Sequence, residues 1–288
     1  MSALNTVPFE KFHGTGNDFV VVDAEDPVPD RPEFARTHCD RDAGISLTES
    51  DRRGADGVLF LALEDRYDPP RVVMTLVQPD GSVAAMCGNG ARVAAAWAAE
   101  RAETTEVMID TPAGTRRATV EDDYVSVEMG VPSFAPRDVP LDSGEELVEA
   151  EVGDLTVTAV NTGVPHAVAI VDDVDGVDLE SVAPSIRHAP LFPEGANVTI
   201  ASPDGNGGFR QRTFERGVEG ETQSCGTGAV AVVAVAKRLG LVEGDDPVSV
   251  SPPGGELSVT VPDEGTALLG GPAVHEGDGE ADVVFRQR

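Results

Sequence analysis

Residues 86–99 read MCGNGARVAAAWAA, and residues 224–236 read SCGTGAVAVVAVA. The same phrase, Cys-Gly-x-Gly-Ala, opens each stretch, and an apolar run follows it. A small turn residue set before an alanine- and valine-rich run is a helix-start signal. The pattern therefore predicts helices over about 88–103 and 226–240, with Cys87 and Cys225 at their N-termini. First-turn amides have no intrahelical acceptor, and the helix dipole is positive there. Such a position favours the thiolate, and cysteines so placed fall from ~8.5 to roughly 3.5–7.5. The neighbouring glycine amides suit a carboxylate.

The two phrases lie about half the chain apart, each preceded by short β-branched segments, which argues for an internal duplication. VPFEKFH, DFVVVDA, GVLFLALE, RVVMTLVQ, TEVMID, RRATVE and YVSVEMG read as strands in the first half. DLTVTAV, HAVAIVDD, NVTIAS, RQRTFER, VSVSP and ELSVTV repeat the texture in the second. Short helices are expected near 32–40 and 178–188, and loops at 46–54 and 262–280. The run at 229–236 is apolar on most faces, so it belongs inside its domain. The expected fold is α+β: two pseudo-symmetric domains, each a curved, mostly antiparallel sheet wrapped around a central helix. The Pro-rich stretch VPSFAPRDVP sets the expected boundary, with residues 1–131 in one half and 132–273 in the other. The cleft between the halves is the expected home of both thiols.

The 288 residues carry 51 acidic and 21 basic side chains, a formal charge of −30. Only Lys11 and Lys237 are lysines. Such a surface repels nucleic acid and anionic membrane, which recognise basic patches. Acidic residues are spread along the chain rather than gathered in a tail, so a solvated surface is favoured over a docking face. Adaptation to high salt is its sharper form, because molar salt screens self-repulsion. No long apolar span and no leader-like apolar stretch is present, so a soluble cytoplasmic protein is expected. Three cysteines cannot pair without a remainder, and Cys39 reads as a small core residue.

Two thiols beside carboxylate-binding turns imply removal of a proton from one face of an amino-acid α-carbon and its return on the other. Many such reactions use pyridoxal phosphate on a lysine, but neither Lys11 nor Lys237 adjoins a phosphate-cradling loop. His13, His38, His166, His188 and His275 are scattered without metal-ligand spacing. The expectation is therefore catalysis with no cofactor and no metal, the developing charge being held by helix-start amides.

HGTGNDFVVVD (13–23), QPDGSVAAMCGNGAR (78–92), NTGVPHAV (161–168), GANVTI (195–200) and ERGVEGETQSCGTGA (215–229) together resemble the diaminopimelate epimerase family. The blocks stand in that family's order across nearly the whole chain. The resemblance implies interconversion of LL- and meso-diaminopimelate in lysine biosynthesis, and a homodimer. It also implies that the last strand, within 274–288, returns to the first domain. Position by position, Cys87 and Cys225 match the acid/base cysteines. Gly88 with Asn89, and Gly226 with Thr227, match the turns that bind the reacting carboxylate. His166 and Glu215 match residues that tune the two thiols. Asn17, Gln78, Asn197, Glu215 and Arg216 match positions that read the substrate, Arg216 being suited to a bidentate grip on the distal carboxylate.

Three departures bear on the distal end rather than on proton transfer. Gln78 stands where many members have Asn, Val164 replaces the Asn of Gly-Asn-Pro-His, and Gly57 stands where some place Gln. The nearest rival is a proline or hydroxyproline racemase. Those relatives usually carry His where this chain has Asn89, and they have no use for Arg216. A thiol redox or metal-binding protein is the rival from another class, but neither cysteine belongs to a Cys-x-x-Cys.

Overall fold

The computed structural model describes residues 6–47 and 52–283. The chain divides into two compact units, Met1–Val127 with Gly271–Arg288, and Glu128–Gly270. Both divisions fall a few residues before the expected boundaries.

In the first unit the strands lie in the order Val274–Asp282, Thr6–Gly14, Asn17–Asp23, Gly57–Glu64, Arg71–Val77, Glu106–Thr111, Gly114–Glu121 and Tyr124–Gly130. Two of these pairings are parallel: Asn17–Asp23 with Gly57–Glu64, and Arg71–Val77 with Glu106–Thr111. A parallel pairing needs a crossover. Helix α1, Arg31–His38, lies in the first crossover, and helix α2, Gly88–Ala102, is the second. α2 packs on Glu106–Thr111, Arg71–Val77 and Thr6–Gly14, so the sheet curls around it. Its Trp97 is fully buried, and the indole N–H donates to Glu10 Oε1 at 2.9 Å, which satisfies the ring's polar edge.

The second unit repeats that order. Its strands run Ala150–Val152, Leu155–Asn161, Pro165–Ile170, Asn197–Pro203, Phe209–Glu215, Val248–Ser251, Leu257–Thr260 and Ala267–Pro272. The parallel pairs again enclose helices: α3, Leu179–Arg187, and α4, Gly226–Arg238. Every residue of α4 from Gly226 to Ala236 is buried. Each of its valines contributes about 1.5–3 kcal/mol of apolar burial. Repetition of the same pairing sequence establishes the α+β, internally duplicated fold.

One expectation fails. The segment 262–280 is not a loop: Ala267–Pro272 and Val274–Asp282 are strands. Val274–Asp282 lies antiparallel to Thr6–Gly14, with a bulge opposite Lys11 and Phe12, and Ala281 is its one buried side chain. A strand with so little buried surface has no apolar alternation to read. Of the loop expected at 46–54, positions 48–51 lie outside the described residues, as do 284–288 of the last strand.

Candidate active site

In the first unit, Cys87 is the N-cap of α2, with extended backbone (φ −146°, ψ 117°), and its Sγ accepts from Gly90 N at 3.4 Å. The first helical bond runs from Ala91 N to Cys87 O, so the amides of Gly88 and Asn89 precede the ladder. A Cβ on Gly90 would lie 3.5 Å from Cys87 Cβ and 3.3 Å from Leu59 Cδ2, which explains the small residue there.

Asn89 is buried, and its amide nitrogen donates to Asn17 Oδ1. Asn17 in turn donates to Asp56 Oδ2 at 3.0 Å, and Arg41 holds both Asp56 and Asp18. Lys11 completes the cluster 3.0 Å from Asp18. Burial alone would raise the Asp18 carboxyl, but bonds to Arg41 and Lys11 hold it below its ordinary value. Asp56, Arg41, Asp18 and Lys11 were not foreseen as part of this region. The signal in the sequence is the GADG turn, in which Asp56 stands beside Gly57. Gln78 sits apart from this chain of contacts. Its amide oxygen accepts from Ser82 Oγ at 3.0 Å inside its own turn.

In the second unit, Cys225 is the buried N-cap of α4, and Ala229 N to Cys225 O is the first helical bond. Gly226 and Thr227 therefore offer their amides as Gly88 and Asn89 do. Thr227 Oγ1 lies 3.5 Å from Cys225 Sγ and 3.0 Å from His166 Nε2. His166 reaches the thiol region through that hydroxyl. Burial first, and Arg216 second, push His166 down to about 3, so its ring is neutral at any working pH. Glu215 bonds Thr222 Oγ1 and the Cys225 thiol, and burial raises its carboxyl overall.

The expected thiolate-favouring environment fails at Cys225. Burial, followed by the Glu215 charge, drives this thiol well above its ordinary value, outweighing the bond from Thr227. A helix N-terminus is a partial charge, whereas the carboxylate beside it is a whole one. Cys225 therefore rests as a protonated thiol. His166 and Glu215, which match residues that tune the two thiols, both stand in the unit of Cys225.

Asn197 accepts from Arg216 N at 2.7 Å and brings its amide nitrogen to 3.4 Å from His166 Nε2. The Arg216 guanidinium donates from Nη1 to the carbonyls of Glu194 and Gly195 at 3.1 and 3.3 Å, which orients the head group. Behind His166 lie Thr199, Thr213 and Gln211, three buried polar residues absent from the sequence reading. Cys39 packs in a separate apolar cluster with Phe34 and Phe60, and burial pushes its thiol up to about 12. Among the described residues, Glu10, His275 and Asp278 bring possible metal ligands within 4.8 Å of one another. They are paired already, Glu10 with Arg101 and His275 with Asp278.

The sequence profile of diaminopimelate epimerase matches residues 9–135 and 158–277, most of the chain and both cysteine motifs. The chain belongs to the diaminopimelate epimerase family. The diaminopimelate epimerase of Methanothrix thermoacetophila is 42% identical over 280 residues, 94% of each chain. The O-ureido-serine racemase of Streptomyces lavendulae is 40% identical over 289 residues, 96% of each. Among solved structures, a hydroxyproline epimerase from Agrobacterium vitis superposes with a TM-score of 0.63 at 19% identity, covering 98% of this chain and 93% of its own. That likeness speaks for the fold of the epimerase family alone. Among the described residues, no helix is long and apolar enough to cross a membrane.

Proposed function

We propose that this epimerase interconverts LL- and meso-diaminopimelate in lysine biosynthesis, without a cofactor. The observation that carries the reading is the matched pair of cysteine-capped helix starts, one per unit, with Glu215 at the strand end and Arg216 in the turn after it, ahead of the second. One thiolate takes the α-proton, and the other thiol gives a proton to the opposite face of the carbanion. The resting protonation of Cys225 suits it to the donating role in one direction, and Glu215 receives its proton in the other. Helix-start amides hold the carboxylate as negative charge builds on it, where one lost donor typically costs about 3–4 kcal/mol. Asn17, Gln78, Asn197 and Arg216 read the rest of the substrate. The same reading makes the protein a cytoplasmic homodimer adapted to salt.

The test is incubation of the pure protein with LL-diaminopimelate, O-ureido-L-serine and L-proline in parallel, followed by chiral chromatography. Formation of meso-diaminopimelate, abolished by Arg216→Ala, supports the assignment. Preference for O-ureidoserine would move the substrate and keep the thiol chemistry. Turnover of proline, or an Arg216→Ala variant as active as wild type on diaminopimelate, would overturn the distal assignment.

A further inference from the structure

A continuous line of hydrogen bonds runs behind the second thiol, and its polarity follows from one obligatory contact. Gln211 Nε2 lies 3.2 Å from the Cys225 carbonyl and 2.9 Å from Thr213 Oγ1. A carbonyl only accepts, so the amide nitrogen must face it, and Thr213 must accept from the same nitrogen. The Thr213 hydroxyl is then free to donate to Thr199 Oγ1 at 3.1 Å, and Thr199 to His166 Nδ1 at 3.1 Å. Nδ1 is thereby an acceptor, which leaves the ring proton on Nε2. From there it points to Thr227 Oγ1 at 3.0 Å, whose own hydrogen is directed at Cys225 Sγ, 3.5 Å away.

The opposite polarity has a single supporter, the Asn197 amide at 3.4 Å from Nε2. It would make Nδ1 the donor and give Thr213 two donors, Gln211 and Thr199, stranding its own buried hydrogen. A buried polar hydrogen without an acceptor costs more than a long contact returns. Thr199, Gln211 and Thr213 are each at most 2% exposed, so water offers no easy substitute.

We propose that Gln211, Thr213 and Thr199 are positioning residues that hold His166 in its Nε2–H tautomer and so turn the Thr227 hydroxyl toward the Cys225 sulfur as a fixed donor. This rests on Cys225 being an acid/base thiol, as the proposed function has it. The charged groups facing the relay are Glu215, bonded to the thiol, and Arg216, whose charge is felt at His166. When the Cys225 proton moves to the Glu215 carboxylate, the new thiolate already has the Thr227 hydrogen bond in place. His166 itself neither gains nor loses a proton.

The test is long-range nitrogen–proton NMR of the full chain labelled at histidine, with the His166 signals assigned by loss in His166→Gln. Alkylation of Cys225 as a function of pH is read in parallel by peptide mass spectrometry. Wild type is expected to show protonated Nε2 and bare Nδ1. Thr199→Val should mix the tautomers, slow Cys225 alkylation at a fixed pH by about tenfold, one hydrogen bond's worth, and lower kcat with KM little changed. Thr199→Ser should restore all three. Protonated Nδ1 in wild type would overturn the proposal, whether or not the variants fold. So would Thr199→Val with an unchanged tautomer and unchanged alkylation. The tautomer and alkylation readouts need no substrate, so an error in the diaminopimelate assignment would not disturb them.

Discussion

Lys11 and Asp18 face each other at 3.0 Å with both side chains fully buried. Lys11 also donates to the carbonyls of Arg52 and Gly54, and Asp18 shares Arg41 with Asp56. One of the chain's two lysines thus anchors the cluster that, through Asp56 and Asn17, fixes the Asn89 side chain at the Cys87 turn.

Removing Lys11 leaves the buried Asp18 carboxylate to Arg41 alone, so the cost is at most the about 3–5 kcal/mol typical of a broken buried pair. Lys11→Met should destabilise the protein measurably, by up to that amount, in urea denaturation. The double variant Lys11→Met with Asp18→Asn should recover part of the loss. A single variant as stable as wild type would show that the pair is not structural.

The pH dependence of stability carries the mark of His166. Its folded pKa is depressed to about 3 from an ordinary 6.5. A depressed group contributes stability that is complete above its unfolded pKa and is lost as pH falls toward the folded value. Stability should therefore drop from about pH 6.5 downward, this residue contributing at most about 1.4 kcal/mol per pH unit. Asp18, also depressed, adds to the loss at lower pH, whereas Glu215, raised by burial, opposes it. His166→Gln isolates the histidine contribution. Denaturation curves at pH 5 and 7 whose difference is the same in wild type and variant would contradict the neutral, buried ring.

The second glycines of the two motifs, Gly90 and Gly228, are not equivalent. A Cβ on Gly228 would come within 2.6 Å of Gln211 Nε2 and 3.2 Å of Cys225 Sγ, whereas one on Gly90 meets nothing closer than 3.3 Å. Gly228→Ala must displace Gln211 and should cost at least tenfold in kcat, equivalent to about 1.4 kcal/mol. Gly90→Ala should be the milder change. Steady-state kinetics of the two variants checks the order, and equal losses would argue against the Gln211 contact.

Both cysteine-capped helices were legible in the sequence because the signal is local: a small residue, two glycines, then an apolar run. The strand Val274–Asp282 was legible through the family resemblance and not through its local pattern, since an edge with one buried side chain carries no alternation. The state of Cys225 departs from the local expectation for a different reason. The local argument saw a helix start, but the hairpin that pairs Glu215 with Gly220 carries the carboxylate back beside the thiol. Thr199 and Thr213 lie opposite each other in antiparallel register, as His166 and Asn197 do in parallel register. Their conjunction exists only after the strands pair, so residue spacing could not announce it.

The net charge of −30 gives a prediction about solvent. Unscreened carboxylates repel one another, while salt both screens them and can strengthen apolar burial. Tm should rise from low to molar potassium chloride. A flat or falling series would remove salt adaptation and leave the chemistry untouched.

The central claim is that two different thiols carry the two proton transfers, and isotope entry during turnover tests it most directly. LL-diaminopimelate is incubated with the enzyme in deuterium oxide and sampled at low conversion. Mass spectrometry then reads the α-position in product and recovered substrate. Two thiols acting from opposite faces predict deuterium in nearly every meso product molecule and almost none in remaining LL substrate. Cys87→Ser and Cys225→Ser should each abolish that product. Equal labelling of substrate and product from the outset, or near-normal turnover by either serine variant, would contradict the account.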